Sequence, residues 1–150
     1  MSAELRFTID TNVLIYAAVR DSSAQHRIAS GLLTRAAGRE CLLTLQALSE
    51  FYAVTTRKRL LPPGRGLALA LFETLPASPD ALALALDAVA THRLSFWDAL
   101  LWATAREAGC RWLLSEDLRD RREIGGVGFV DPFAGRALPE DLERALAVPR

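Results

Sequence analysis

Four acidic residues could do chemistry together, because each lies near the predicted end of a strand or start of a helix. Asp10 closes the first apolar run of the chain, and Asp117 follows a later one. Glu50 and Asp98 lie in early turns of two predicted helices. Apolar neighbours flank Asp10 and Asp98, and acids in such settings are rarely left unpaired. We therefore expect all four acids to face one pocket.

A pocket of four carboxylates predicts a bound divalent cation. Carboxylates that lie close together repel, and without a counter-ion at least one would be protonated near neutral pH. No cluster of basic residues stands beside these acids in the sequence. Ligands that are all oxygen favour Mg²⁺ or Mn²⁺. Such an ion lowers the pKa of its water, orients a phosphate and stabilises the leaving oxygen. The predicted chemistry is phosphoryl transfer, for which no histidine base is needed.

The histidines and cysteines do not indicate another kind of site. His26 and His92 have no Cys or His partner at zinc-ligand spacing. Cys41 and Cys110 are too few for a disulfide framework. Each stands beside an apolar run, where cysteine usually serves as a small core residue. A zinc site is therefore not expected.

Each acid also has a purely structural interpretation. Asp98 forms a capping box with Ser95, and Asp10 fits the N-cap of the next helix. Asp117 fits a turn, and Glu50 fits a solvated helix face. Carboxylates are favoured at helix starts in any case. Only the joint placement of the four acids favours a site.

Hydrophobic periodicity predicts strands that alternate with helices. The predicted strands are Leu5–Ile9, Cys41–Leu45, Arg111–Leu114 and Val127–Val130, with Leu75–Pro79 as a short edge strand or a turn. The predicted helices are Thr11–Val19, Ala24–Ala37, Ala47–Arg59, Gly66–Thr74, Asp80–His92, Ser95–Ala108 and Pro139–Ala147. This alternation implies an α/β fold with a parallel sheet covered on both faces. Ligands bind beyond the carboxyl ends of such strands, where the acids are expected.

Two helix predictions rest on particular patterns. In the Asp80–His92 segment, a Leu82, Leu86 and Val89 stripe and many alanines favour a helix over a strand. In the Ser95–Ala108 segment, Gly109 fits the residue after the helix end. Trp97 and Trp102 stand at helical spacing there, which favours the core over stacking on bases.

The composition indicates one cytoplasmic domain over residues 1–150. The chain is 51% hydrophobic and carries 18 basic and 18 acidic side chains. This length suffices for a buried core. A net charge of zero disfavours a nonspecific basic coat for nucleic acid, but it leaves room for a local basic rim. No apolar run of about 18 residues predicts a membrane span, and the N-terminus lacks a signal-peptide pattern.

Four short motifs together resemble a known family. Asp10-Thr11-Asn12 follows a predicted strand, and Glu50 stands in Ser-Glu-Phe. Asp98 stands in Ser-Phe-Trp-Asp-Ala-Leu, and Asp117 in Leu-Leu-Ser-Glu-Asp-Leu. In this order and spacing they resemble the PIN domain, and within it the VapC-type toxins of type II toxin–antitoxin systems. The resemblance covers nearly the whole chain, from residue 7 to about residue 133.

The resemblance implies a three-layer α/β/α sandwich with a central, mainly parallel sheet of about five strands. It also implies an endoribonuclease that depends on Mg²⁺ or Mn²⁺ and cleaves RNA phosphodiester bonds with metal-activated water. The implied metal and catalytic residues are Asp10, Glu50, Asp98 and Asp117, with Asn12 and Ser115 in supporting roles.

The same resemblance suggests different roles for the acids. Asp10 and Asp98 would be direct or water-mediated metal ligands, and Glu50 would hold metal-bound water or act as a base. Glu116 and Asp120 stand close enough to Asp117 to compete for the fourth position, so that assignment stays open.

The implied partners are RNA, a cognate antitoxin and a second copy of the chain. The antitoxin's C-terminal segment would lie across the pocket, and a hairpin of Leu60–Leu61 and Leu67–Leu71 could clamp it. Basic side chains at the rim could hold phosphates without choosing a sequence, although ordinary solvated helix ends explain each of them equally well. The rim candidates are Arg57, Lys58, Arg59, Arg119, Arg121 and Arg122.

Three other functions remain open from the sequence. A metal-dependent phosphatase or dehalogenase-like enzyme usually has a second Asp two residues after the first, where this chain has Asn12. A nuclease for DNA or structured flaps needs an extra helical arch, for which the chain is short. A catalytically silent interaction module would not need the complete acid set. Nucleotide binding is disfavoured because no G-x-G-x-x-G or P-loop occurs, and Gly125-Gly126 precedes a strand and fits a turn.

Overall fold

The strands form one central sheet. The structure is a computed structural model that describes residues 4–61, 69 and 72–147. The strands are β1 (Arg6–Ile9), β2 (Cys41–Thr44), β3 (Glu73–Leu75), β4 (Cys110–Leu114), β5 (Glu123–Ile124) and β6 (Val127–Val130). They lie in the order β3-β2-β1-β4-β6-β5. All neighbours are parallel except β5 and β6. The prediction of a mainly parallel sheet is confirmed.

Helices cover both faces of this sheet. They are α1 (Thr11–Ala18), α2 (Ala24–Ala36), α3 (Leu45–Arg57), α4 (Pro79–His92), α5 (Phe96–Glu107) and α6 (Glu140–Leu146). Phe7 and Ile9 of β1 pack in a core with residues of α1, α2, α3 and α6. Leu113 and Phe129 point to the opposite core, which α4 and α5 cover. Alternation along the strands thus builds the expected three-layer sandwich.

Hydroxyl side chains begin the helices that border the site. Thr44 accepts a hydrogen bond from the backbone N–H of Ala47 at the start of α3. Ser95 does the same for Asp98 at the start of α5. At the other end of α5, Gly109 has a φ of 80°, which glycine adopts without strain. The predicted cap is therefore confirmed, and α5 leads directly into β4.

The predictions around β3 and β5 need correction. The sheet has six strands in the described residues rather than about five, because Glu123–Ile124 pairs with β6 as a two-residue hairpin strand. The predicted turn at Gly125-Gly126 joins them, and both glycines have positive φ, as a tight hairpin turn requires. The edge strand β3 begins at Glu73, before the predicted Leu75. The predicted helix Gly66–Thr74 lies mostly outside the described residues, and its last two positions belong to β3.

The predicted helix over Asp80–His92 is confirmed as α4, in which Leu82 and Leu86 are exposed and the face with Ala81 and Ala85 packs in the core. The prediction that Trp97 belongs to the core was wrong. Trp97 is 60% exposed and not a core residue, because it stands in the first turn of α5, at the edge of the layer.

Other predictions concern the core and the membrane. Cys41 and Cys110 are buried and unpaired, as expected for small core residues. Burial raises the pKa of the Cys110 thiol to about 12, so it stays protonated. Among the residues that the structure describes, no helix is long and apolar enough to cross a membrane.

Candidate active site

The candidate site lies where the chain connections reverse direction along the sheet. From β1 the chain continues to β2 on one side, and it later returns to β4 on the other side. Asp10 follows β1, and Ser115 follows β4. The backbone N–H of Asp10 donates to the carbonyl of Leu114 at 2.9 Å, which holds these strand ends together. Ligands bind at such switch points in open α/β sheets.

Asp10 is the most buried of the four acids, with 8% of its surface exposed. Its Oδ1 accepts the backbone N–H of Thr11 at 2.7 Å, so it caps α1. Its Oδ2 accepts the hydroxyl of Ser115 at 2.8 Å. Burial raises the pKa of Asp10 from 3.8 to about 6, while the two hydrogen bonds oppose the rise and the charges of Asp98 and Asp117 add to it. The capping interpretation is thus correct, but it leaves the acid beside other negative charges.

Asp117 is tied to the same strand end. Asn12 donates its amide to Oδ2 of Asp117 at 2.6 Å. The backbone N–H of Asp117 donates to Oγ of Ser115 at 3.1 Å. Ser115 therefore contacts both Asp10 and the turn that carries Asp117, and the two predicted supporting residues hold the two acids.

Glu50 reaches the site from the second turn of α3. Oγ1 of Thr11 lies 3.3 Å from Oε2 of Glu50 and 3.2 Å from the carbonyl of Ala47. The amide of Gln46 donates to Oε1 of Glu50 at 3.1 Å. Glu50 is consequently oriented by one residue of α1 and one residue of its own helix.

Asp98 stands in the first turn of α5 and is partly buried. Burial raises the pKa of Asp98, and the contact with Ser95 opposes that rise. The charges of Asp117 and Glu50 raise the pKa further. Asp98 is therefore within electrostatic reach of the three other acids, since its charge also acts on Asp10.

The donor set suits a hard cation, although the side chains do not form a finished coordination shell. Among residues 4–61, 69 and 72–147, no ion pair joins any of the four acids to an Arg or Lys. Their mutual repulsion is thus left without a neutralising side chain. In the same part of the chain, no group of three His, Cys, Asp or Glu could hold a metal ion as it stands. Small rotations or bridging waters would be needed for binding.

The two competitors for the fourth acidic position have other contacts. Glu116 accepts the phenol of Tyr16 at 3.0 Å. Asp120 pairs with Arg136 at 3.2 Å and accepts the backbone N–H of Asp131. Neither acts on the pKa of Asp10 or Asp98, whereas Asp117 acts on both.

The basic rim candidates fall into two groups. One group lies at the end of α3, just after it, or in the turn after β4, and is exposed: Arg57, Lys58, Arg59 and Arg119. Arg121 donates to the carbonyl of Ala137, and Arg122 donates to that of His92 at 2.9 Å. Arg121 and Arg122 therefore have structural partners. The proposed hairpin clamp lies mostly outside the described residues, which include only its Leu60–Leu61 and Leu69.

Sequence reasoning missed two residues that orient Glu50. Thr11 belongs to the first motif, but no role was predicted for it. Its position directly after Asp10 could have indicated that its side chain lies at the site. Gln46 precedes Glu50 by four residues on a predicted helix, a spacing at which side chains are neighbours. That spacing could have indicated the contact.

Comparisons with known proteins bear on the fold and the family. A family model described as PIN domain matches residues 7–124. The structure is similar to a toxin-antitoxin complex from Klebsiella pneumoniae, with a TM-score of 0.66 and 24% identity, over 84% of this chain and 97% of that chain. It is also similar to VapC20 of Mycobacterium tuberculosis, described as a sarcin-ricin loop cleaving toxin (TM-score 0.58, 18% identity, 71% and 86% covered).

A third similar structure is FitAcB from Neisseria gonorrhoeae, with a TM-score of 0.55 and 18% identity, over 85% of this chain and 99% of that chain. Among curated proteins, no sequence match was found. At these identities the structural likeness concerns the fold.

Proposed function

The chain belongs to the PIN domain family, and from that premise we propose that it is the toxin of a toxin–antitoxin pair and an endoribonuclease. PIN domains are generally nucleases that use divalent metal ions. The proposed reaction is hydrolysis of an RNA phosphodiester bond with Mg²⁺ or Mn²⁺. A metal ion bound there would activate a water molecule and stabilise the leaving oxygen.

One observation carries this proposal: four acids lie at one sheet edge, and the charges of the others raise the pKa of Asp10 and of Asp98. In the described part of the chain, none of the four forms an ion pair with an Arg or Lys. A purely structural set of caps would not need to accumulate this repulsion. The similar structures include a toxin-antitoxin complex and a toxin that cleaves the sarcin-ricin loop. Those descriptions concern those proteins and support the direction of the proposal for this chain.

Each acid has a proposed role that follows from its contacts. Asp10 is the central ligand, because Ser115 and Thr11 fix both of its oxygens. Asp98 is the ligand contributed by α5. Glu50, held by Gln46, orients the attacking water or takes its proton. Asp117 completes the set.

Asn12 and Ser115 are positioning residues in this proposal. Asn12 holds the carboxylate of Asp117, and Ser115 holds Asp10. Neither needs to touch the substrate, because each acts through the acid that it contacts.

The proposed partners are an RNA substrate, a cognate antitoxin and a second copy of the chain, all in the cytoplasm. The exposed basic residues Arg57, Lys58, Arg59 and Arg119 are candidate phosphate contacts. Exposed apolar side chains on α4, including Leu82 and Leu86, are available for association.

Expression of the chain in a bacterial host tests the toxin proposal. We expect growth arrest with the unchanged sequence and normal growth with Asp10→Asn at equal protein level. Growth should return when a cognate antitoxin is expressed with it. Normal growth with the unchanged, soluble chain would contradict the proposal.

A further inference from the structure

A cleft of about 650 Å³ adjoins the acid site between the start of α3 and the first turn of α5. We call it the Trp97 cleft. The residues that line it include Leu45, Gln46, Glu50, Pro76, Trp97 and Leu100. Glu50 belongs to both the acid site and this cleft, so the two are neighbours that share one side chain. Its size falls within the range of small-molecule sites in proteins.

Trp97 differs from the other two tryptophans of the chain. Trp102 and Trp112 are buried, and their indole N–H groups donate to the carbonyl of Ile124 and to Asp141. Trp97 is 60% exposed and directly precedes Asp98. An exposed indole beside a cleft is a platform on which any nucleobase can stack.

Gln46 gives the cleft a polar group with an unused acceptor. Its Nε2 donates to Oε1 of Glu50 and to the carbonyl of Trp97, both at 3.1 Å. Both partners are acceptors, which fixes the orientation of the amide. Its Oε1 is buried and has no partner among the described residues. Buried acceptors are rarely left unpaired, so a ligand with an N–H donor would complete this contact.

We propose that the Trp97 cleft receives one unstacked nucleobase of single-stranded RNA, next to the bond that is cut. This inference rests on the proposed ribonuclease function and adds a preference to it. The base stacks on Trp97 and donates an N–H to Oε1 of Gln46. Both protons of the Gln46 amide are already used, so Gln46 can only accept. A base that carries an N–H donor is therefore favoured over a base that has none.

Equilibrium binding of short RNA tests this inference. Hexamers of adenosine and of purine riboside differ only in the exocyclic amine, which is the one N–H donor of adenine, and the Asp10→Asn protein in Mg²⁺ prevents cleavage during the measurement. We expect the adenosine hexamer to bind about 10-fold more tightly. Trp97→Ala should weaken its binding about 10-fold, and Trp97→Phe should retain most of the affinity.

Two further variants separate recognition from structure. Gln46→Leu should remove the difference between the two hexamers, which a merely structural role for Gln46 would not do. Ile28→Ala also removes an exposed apolar side chain, but on α2, and should leave both affinities unchanged. Equal binding of the two hexamers, or unchanged binding by Trp97→Ala, would overturn the inference.

Cleavage by the unsubstituted chain distinguishes this inference from the proposed function. If the chain cuts no RNA but keeps the preference for the adenosine hexamer and its dependence on Trp97, the base subsite stands and the nuclease assignment fails. If the chain cuts RNA, and Trp97→Ala binds and cuts both hexamers as well as the unsubstituted chain does, the nuclease assignment stands and the subsite is refuted.

Discussion

Ser115 donates a hydrogen bond of 2.8 Å to Oδ2 of Asp10, although the two residues are separated by 105 positions in the chain. The contact is possible because β1 and β4 are parallel neighbours, and Ile9 pairs with Leu114 just before it. Ser115 also accepts the backbone N–H of Asp117. One buried hydroxyl thus links two of the proposed catalytic acids.

Ser115→Ala should reduce RNA cleavage about 10-fold while the fold persists. The variant leaves Oδ2 of Asp10 and the N–H of Asp117 without a fixed partner, so both acids lose their orientation. Single-turnover cleavage and thermal unfolding should be measured on the same samples. Thr104→Ala is the matched control, because it removes a buried hydroxyl in α5 that donates to the carbonyl of Leu100 in the same helix. A loss of activity that is equal in both variants would assign Ser115 a general structural role.

The fourth acid can be identified by three substitutions. Asp117→Asn should lower the rate of cleavage at least 10-fold, because it removes a charge that acts on both Asp10 and Asp98. Glu116→Gln should change the rate less than about 3-fold, a much smaller effect than the 10-fold loss expected for Asp117→Asn. Asp120→Asn should mainly lower stability, since it breaks the contacts to Arg136 and the backbone of Asp131. A larger rate loss for Glu116→Gln than for Asp117→Asn would reverse the assignment.

Ionisation of Asp10 should destabilise the metal-free protein. The folded-state pKa is raised to about 6, so the folded protein binds the proton more tightly than the unfolded chain. That stabilisation is complete below pH 3.8 and is lost as the pH rises through about 6. The full shift corresponds to roughly 3 kcal/mol. Asp10→Asn does not ionise and should gain stability relative to the unchanged chain over this range.

Urea unfolding in EDTA at pH 4.5 and pH 7 measures this effect. The stability of Asp10→Asn minus that of the unchanged chain should increase with pH, and Mg²⁺ should reduce the difference at pH 7. Asp87→Asn, at an exposed position of α4, is the control and should change stability by less than about 0.5 kcal/mol. If the difference in stability between the two proteins does not change with pH, ionisation of the buried Asp10 carboxyl does not destabilise the fold, and this prediction is contradicted.

The pairing of β4 with β6 requires a glycine at position 128. A Cβ added to Gly128 would lie 2.2 Å from the ring of Trp112, which is its partner across the two strands. Gly128→Ala should therefore destabilise the protein by roughly 1–3 kcal/mol. Gly31→Ala in α2 meets no atom within 4 Å and should stabilise by roughly 0.5–1 kcal/mol. Equal effects in urea unfolding would show that Trp112 can move aside.

Much of the fold was predictable because hydrophobic periodicity and helix-capping residues indicate the same helices and strands along most of the chain. Asp10 at the end of β1 and Ser95 at the start of α5 carry clear local signals, and parallel strands then bring their neighbours to one edge. Glu123–Ile124 was missed because two residues carry no periodicity, and only pairing with β6 makes them a strand. The exposure of Trp97 could not be predicted either, because helical spacing does not show which turn of a helix extends beyond the layer it packs against.

The site was predicted only as a set of residues. Sequence order placed the acids at one edge, but the contact of Thr11 with Glu50 depends on how α1 packs against α3, and that of Gln46 with the carbonyl of Trp97 depends on how α3 packs against α5. The preference for Asp117 over Glu116 depends on the turn after β4, which the sequence leaves open. Contacts of this kind come from tertiary packing and have no local pattern.

Cleavage of a single-stranded RNA by the purified chain tests the central claim most directly. We expect cleavage in Mg²⁺ or Mn²⁺, none in EDTA, and at least a 100-fold loss in both Asp10→Asn and Asp98→Asn, with unfolding profiles that show intact folds. A single-stranded DNA of the same sequence and a small phosphate ester are the competing substrates. Full RNA cleavage in EDTA, or hydrolysis of the phosphate ester with the RNA left intact, would contradict the account.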